Sequence, residues 1–163
     1  MNGPRVRLAP LASEHHERLT ELRSEPEVVR WWQEPRDDFL EEESGVHKYA
    51  VLLDGDVIGF AQWHEETDPM YRHAGVDLFL DPALHGRGLG TEVVQVVCTH
   101  LIDEHGFHRI VIDPEVANEV AIACYRKVGF KPVGVMRRYQ RDRFGEWQDG
   151  LLMDLLAEEF VRG

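Results

Sequence analysis

At 163 residues, with 43% hydrophobic and 29% charged side chains, the chain has the size and composition of a single globular domain spanning residues 1–163. Such a chain buries roughly two-thirds of its unfolded surface, and it has no apolar run near the ~20 residues that a membrane span needs. A formal net charge of −12 argues against nucleic acid, whose binding depends on Lys and Arg, and leaves two readings: solubility alone, or a cationic partner.

The N-terminus, Met1-Asn2-Gly3-Pro4-Arg5, has no apolar secretion segment, so a cytoplasmic protein is expected. Val6 to Ala9 reads as a first strand. Ser13 opens a helix, with Glu17 near its start, that runs to about Ser24 and is broken by Pro26. A short apolar-rich segment from Glu27 ends in Trp31-Trp32. An acidic stretch follows, holding Asp37, Asp38, Glu41, Glu42 and Glu43. Tyr49 to Leu53 and Val57 to Glu65 flank Asp54-Gly55-Asp56, a hairpin signal, and Glu65, Glu66 and Asp68 form a second acidic group. Gly75 to Leu80 is a further strand, ended by Asp81-Pro82.

The stretch His85-Gly86-Arg87-Gly88-Leu89-Gly90-Thr91 comes next, with glycine at alternate positions just before a helix-periodic run. Glycine allows positive φ and close backbone approach, so successive N–H groups can converge on an anion where a helix dipole favours it. Arg87 could add a cation. The alternative is a strand-to-helix turn with no ligand. The spacing is neither the Gly-x-Gly-x-x-Gly of a dinucleotide fold nor the Gly-x4-Gly-Lys of a P-loop.

Val93, Val94, Val96, Val97, Leu101 and Ile102 then recur at helical spacing up to Gly106, and Arg109 to Asp113 reads as a buried strand. Asn118 is a helix N-cap and Gly129 the residue ending that helix, which sets Asn118, Ala121 and Tyr125 on one face. A strand near Val133 to Arg138 and a last one around Gly150 to Leu155 complete the chain. The order predicts an α/β protein with a mixed sheet and helices on both faces. Cys98 and Cys124 read as small buried hydrophobes, and the scattered histidines form no metal-ligand spacing, so no metal is expected.

Together the glycine turn and the pattern Asn-x-x-Ala-x-x-x-Tyr-x-x-x-Gly-Phe from Asn118 to Phe130 resemble the GNAT superfamily of acetyl-CoA-dependent N-acetyltransferases. His85 stands where that family prefers Gln or Arg. The resemblance implies a central, mostly antiparallel sheet with one splayed parallel pair. It also implies acetyl-CoA as acetyl donor, with its pyrophosphate on the backbone of residues 85–91 and further contacts from Leu78, Phe79, Leu80, Asn118, Ala121 and Tyr125. Tyr125 is then the acid that protonates the departing sulfur; without the motif it would read as a core aromatic.

The amine must lose a proton before it attacks, and Asp77 and Asp113 are the candidate bases. Asp113, just before Pro114, serves equally well as a turn residue. Within the superfamily the strings Val28-Val29-Arg30-Trp31-Trp32, Ile58-Gly59-Phe60-Ala61-Gln62, Glu65-Glu66-Thr67-Asp68-Pro69 and Gly75-Val76-Asp77 are most similar to aminoglycoside 6′-N-acetyltransferases. That likeness implies a small cationic amine as partner, held by Trp32, Trp63, Glu66, Asp68, Asp77 and Asp113, in a protein that is a monomer or a homodimer. The Trp31-Trp32 pair could instead be one core and one capping aromatic. The basic stretches around Arg72 and at Arg137 to Arg141 keep other acceptors open: a protein N-terminus, a lysine or a siderophore-type amine. A non-catalytic acyl-CoA-binding module is the remaining alternative.

Overall fold

The computed structural model describes residues 1–36 and 38–163, so Asp37 of the acidic stretch lies outside the described residues. The chain begins with β1 (Val6–Pro10), a single 3-10 turn, α1 (His16–Arg23) and α2 (Pro26–Trp32). Three strands follow, β2 (Val46–Leu53), β3 (Asp56–Glu66) and β4 (His73–Leu80), and then α3 (Leu89–Asp103) and β5 (Arg109–Ile112). The helix α4 (Glu119–Val128) and the hairpin β6 (Lys131–Arg141) and β7 (Trp147–Leu156) end it. Seven strands form one sheet in the order β1-β2-β3-β4-β5-β7-β6, antiparallel throughout except between β4 and β5.

Two apolar clusters sandwich this sheet. On one face Leu19 and Leu22 of α1 and Val28 of α2 cover Ala50, Phe60 and Phe79. On the other, Val93, Val97 and Leu101 of α3 and Ile122 and Val128 of α4 cover Ala61, Val76, Ile110 and Met153. The period of two along β4 sends Val76 and Leu80 to the α3 side and Phe79 to the α1 side. Each fully buried side chain of this size contributes about 1.5–3 kcal/mol. Helices on both faces of a mixed sheet are thus observed as expected.

Local chemistry corrects several boundaries. Ser13 does not cap the first helix; the ring Nδ1 of His15 instead accepts the Ala12 N–H at 3.1 Å, and α1 proper begins at His16. Pro26 ends α1 but also starts α2 as its first residue, where its missing N–H costs nothing. Asn118 caps α4 as read, its Oδ1 accepting from Ala121 N at 3.2 Å, and Gly129 closes it at φ 113°. Residues 38–40 of the acidic stretch form a turn stapled by its neighbours: Arg36 pairs with Asp38, and Lys48 Nζ donates to the carbonyls of Phe39 and Glu41. Cys98 is fully buried and Cys124 partly so, both as free thiols. No helix among the described residues is long and apolar enough to cross a membrane.

The start of α3 is tied to β1 through one carboxylate. Glu92, 7% exposed, accepts the Arg5 and Val6 amides at 2.6 and 2.9 Å and the Arg5 Nε at 2.7 Å. Burial alone would raise this carboxyl, yet the two amides and the guanidinium together hold it below its ordinary value. Glu92→Ala should therefore lower unfolding stability by on the order of 1–3 kcal/mol, because it leaves a buried amide unpartnered. Since the folded value is depressed, the difference should be full above about pH 4.5 and shrink as pH falls through that lowered value, as urea titrations of both proteins at several pH values would test.

Candidate active site

The parallel pair β4–β5 is short. Only Ala74 with Ile110 and Gly75 with Val111 stand in register, after which the strands diverge. Asp81 N donates to Ile58 O across the β3 side, so alternation turns the peptide groups of Asp77 and Phe79 toward β3 as well. Those of Leu78 and Leu80 point into the open wedge. The Leu78 carbonyl there accepts a hydrogen bond from Trp32 Nε1 at 3.2 Å.

The wedge opens into a hollow of about 310 Å³ lined by Gln62, Asp77, Asp113, Glu115, Tyr125 and the aromatic end of α2, among others. A larger hollow of about 450 Å³ lies by β1, between Arg5, Arg7 and Asp54. It is three strands from the divergence and holds none of the residues expected from the sequence to carry acyl transfer, so the smaller one is the candidate site.

Each wall has a cause in the sequence. Asp77 stands opposite Gln62 in the β3–β4 register, and the Gln62 amide donates to its Oδ2 at 3.1 Å. Burial raises the Asp77 carboxyl above its ordinary value and the Asp113 charge adds to this, opposed by the Gln62 hydrogen bond and by His64. Asp113 follows β5 and accepts from the Tyr139 hydroxyl at 2.6 Å. That contact, then burial, pushes the Tyr139 phenol up to about 12. Tyr125, 8% exposed, faces the wedge from α4; burial, followed by Cys124, Asp77 and Asp113, raises its phenol far above the ordinary value.

The glycine turn has the backbone its composition predicts. Gly86 and Gly88 lie at φ 76° and 77°, and α3 starts directly after them. Arg5 Nη1 holds the Arg87 carbonyl at 3.0 Å, and His85, Gly86, Arg87 and Gly88 are all exposed. Leu89 is buried in the core at 2% exposure, and Thr91 Oγ1 lies 3.4 Å from Cys124 Sγ. An anion could sit on this turn without meeting a Cβ from Gly86.

Three expected acceptor residues do not reach the hollow. Trp63 is 2% exposed, stacked on His47 at 3.9 Å and packed against Phe107 on the α3 face. Glu66 pairs with His73, four residues along β3 from Gln62 and so about 13 Å away at 3.3 Å per residue. Its carboxylate accepts the Asp68 N–H, and Asp68 accepts that of Met70, so both organise a hairpin turn instead. Trp32 does line the hollow, while its ring also packs edge-on against Phe79 at 5.1 Å.

Other lining residues were not assigned to the site from the sequence: Trp31 and Gln62, quoted there only within family-like strings, and Gln33, Glu115 and Gln140. Glu115 has a buried Oε2 without a partner, and burial raises its carboxyl. Tyr139 reaches Asp113 through a register shift in β6 between Met136 and Gln140, where Arg138 takes φ 51°. Gln33 follows α2 at φ 55°, ψ −173°, a region almost reserved for glycine that costs about 1–3 kcal/mol.

The Acetyltransferase (GNAT) family matches residues 15–130, which includes the glycine turn, the wedge and α4. The chain belongs to that family. It is 33% identical over 142 residues to the aminoglycoside N(6′)-acetyltransferase type 1 of Klebsiella pneumoniae, covering 72% of this chain and 70% of that protein. It is 25% identical to the spermidine N(1)-acetyltransferase of Escherichia coli K12, over 96% of this chain and 88% of that one. The solved structure of the aminoglycoside acetyltransferase AAC(6′)-Ib with coenzyme A and kanamycin superposes with a TM-score of 0.77 at 26% identity, covering 94% and 96% of the two chains. The protein is an acetyl-CoA-dependent N-acetyltransferase.

The raised carboxyl of Asp77 gives a test with a defined sign. A carboxylate whose folded value is raised loses stability as pH climbs from its unfolded value through its folded one. Asp77→Asn should therefore melt at a higher temperature than the wild type at neutral pH, and less so in acid, while turning over more slowly. Calorimetry at two pH values checks the first part and steady-state kinetics the second.

Proposed function

We propose that this enzyme transfers the acetyl group of acetyl-CoA, by direct attack, to a primary amine of an aminoglycoside. The observation that carries the reading is the lining of the wedge hollow: Asp77, Asp113 and Glu115 face it, and among the described residues no Lys, Arg or His does. In a partly desolvated hollow such carboxylates favour a polycationic sugar, and flat aromatic walls at Trp31 and Trp32 suit its rings. The identity to the aminoglycoside enzyme, which exceeds that to the spermidine enzyme, supports the same reading.

In this mechanism the backbone of Gly86 to Gly90 holds the pyrophosphate at the start of α3, with Arg87 and Thr91 beside it. His85, Asn118 and Ala121 border the rest of the donor, whereas Phe79, expected there from the sequence, turns its peptide toward β3 and its ring into the α1-side core against Trp32 and Phe60. The Leu78 and Leu80 amides hydrogen-bond the pantetheine arm, and the Leu78 N–H stabilises the charge that develops on the acetyl oxygen. Asp113 and Glu115 hold ammonium groups of the acceptor. Asp77, raised by burial, takes the proton of the attacking amine, and Tyr125 gives its own to the sulfur as the carbon–sulfur bond breaks. The proton on Asp77 then restores Tyr125 through solvent. Two readouts test these roles. Tyr125→Phe should lower kcat by on the order of 100-fold or more with the acetyl-CoA KM within a few-fold; full turnover in that variant would favour a packing role.

A polyamine is the second acceptor reading, favoured by the match to the spermidine enzyme over 96% of the chain. Mass spectrometry after incubation with acetyl-CoA and a panel of kanamycin-like aminoglycosides, spermidine and N-terminal peptides separates the two. Acetylated aminoglycoside is expected, with a KM that rises with salt because screening acts within about 8 to 10 Å. Acetylated spermidine alone supports the second reading, and acetylated peptide alone rejects both.

A further inference from the structure

The end of α2 is held by a buried arginine that belongs to another helix. Arg23, in the last turn of α1 and 4% exposed, donates from Nη1 to the Gln33 carbonyl at 2.6 Å and from Nη2 to the Trp32 carbonyl. Nη2 also lies 3.5 Å from the Glu34 carbonyl, so one guanidinium meets three successive carbonyls. Its carbon sits 5.5 Å from the Trp32 ring centroid and 5.9 Å from that of Phe39.

Carbonyls at a helix end have no partner within the helix, and they are commonly satisfied by a following glycine in a left-handed turn. Here that position is Gln33, at φ 55° and ψ −173°, outside the conformation of such a cap and in the region almost reserved for glycine. A glutamine holds that conformation only where its surroundings over-determine it. Arg23 supplies the constraint, because its planar fork grips the carbonyls of both the strained residue and the one before it. The gripped segment forms one wall of the wedge hollow: Gln33 lines it, and Trp32 both lines it and donates to the Leu78 carbonyl in the wedge.

We infer that Arg23 is a positioning residue for the acceptor: its guanidinium locks the strained Gln33 turn and thereby fixes the Trp32 indole and the Gln33 side chain against the hollow. Arg23 lies outside the hollow's lining and acts only through these two residues. The inference rests on the reading of the hollow as the acceptor site, and it predicts an effect on the acceptor that leaves the donor untouched. The donor's glycine turn makes no contact with α2 through Arg23.

The test is a double-substitution cycle on the full chain. Arg23→Met should raise the KM of the acetylated amine tenfold or more, and Arg23→Lys less, with the acetyl-CoA KM within twofold. Glycine tolerates that conformation without help, so in the Gln33→Gly background Arg23→Met should change the acceptor KM less than threefold. An equal effect in both backgrounds, or an equal rise in both KM values, would make Arg23 a support of the fold alone and overturn the inference. Where Arg23→Met fails to fold, Arg23→Lys runs the same cycle. A readout free of the acceptor is the indole ¹⁵N–H resonance of Trp32, assigned with Trp32→Phe: it should move on Arg23→Met and return when Gln33→Gly is added. An unmoved resonance overturns the inference whichever amine is acetylated. A wild type that acetylates no amine in the panel defeats the reading of the site, and the resonance still decides the clamp.

Discussion

The structure depends on an interruption in its own backbone hydrogen bonding. Buried N–H and C=O groups are almost always paired, yet in the middle of a seven-stranded sheet β4 and β5 part after two register pairs. Of the peptide groups of Leu78 and Leu80 that face the wedge, the Leu78 carbonyl is taken by Trp32 Nε1, and in the proposed mechanism the thioester arm takes the place of a strand along the rest. The helices α3 and α4 follow from the same divergence, since their N-terminal ends sit at the mouth of the wedge.

Charge is distributed around that wedge in a way the total of −12 does not convey. Many of the acids are committed to structure: Glu92 ties β1 to α3, Asp81 caps the turn before the glycines, and Glu66 and Asp68 organise a hairpin. The three in the hollow lack a cationic side chain in the lining. Asp77 is raised by burial and by the Asp113 charge, which costs the fold stability and, under the proposed role, makes Asp77 a better acceptor of the amine's proton.

Stability and strain are arranged to hold this geometry. On the α1 face of the sheet the Trp32 ring sits edge-on to Phe60 at 6.1 Å and to Phe79 at 5.1 Å, while Phe60 and Phe79 stack on each other at 5.7 Å. The α2 end is pinned by Arg23 at the one place where Gln33 departs from ordinary backbone. A register shift in β6 likewise turns Tyr139 onto Asp113. Both deviations point into the same hollow.

The sequence by itself determined the elements whose signals are local. Periodicity placed α3, the cap at Asn118 and the stop at Gly129 placed α4, and alternate glycines placed the left-handed turn that precedes α3. These are near-neighbour effects of backbone conformation and hydrogen bonding. Only the tertiary structure decided which side chains meet. Glu66 was close to the expected site in sequence but lies four residues along β3 from Gln62, while Glu115, unremarkable in its string, lines the hollow and Tyr139 donates to Asp113 at its edge. Trp63 looked like a ring for a sugar and is a core residue, because the pleat of β3 sends it to the α3 face and Gln62 to the other. Strand register and sheet twist are set by contacts between segments far apart in sequence, and a one-residue change of register reverses the face of every side chain on a strand.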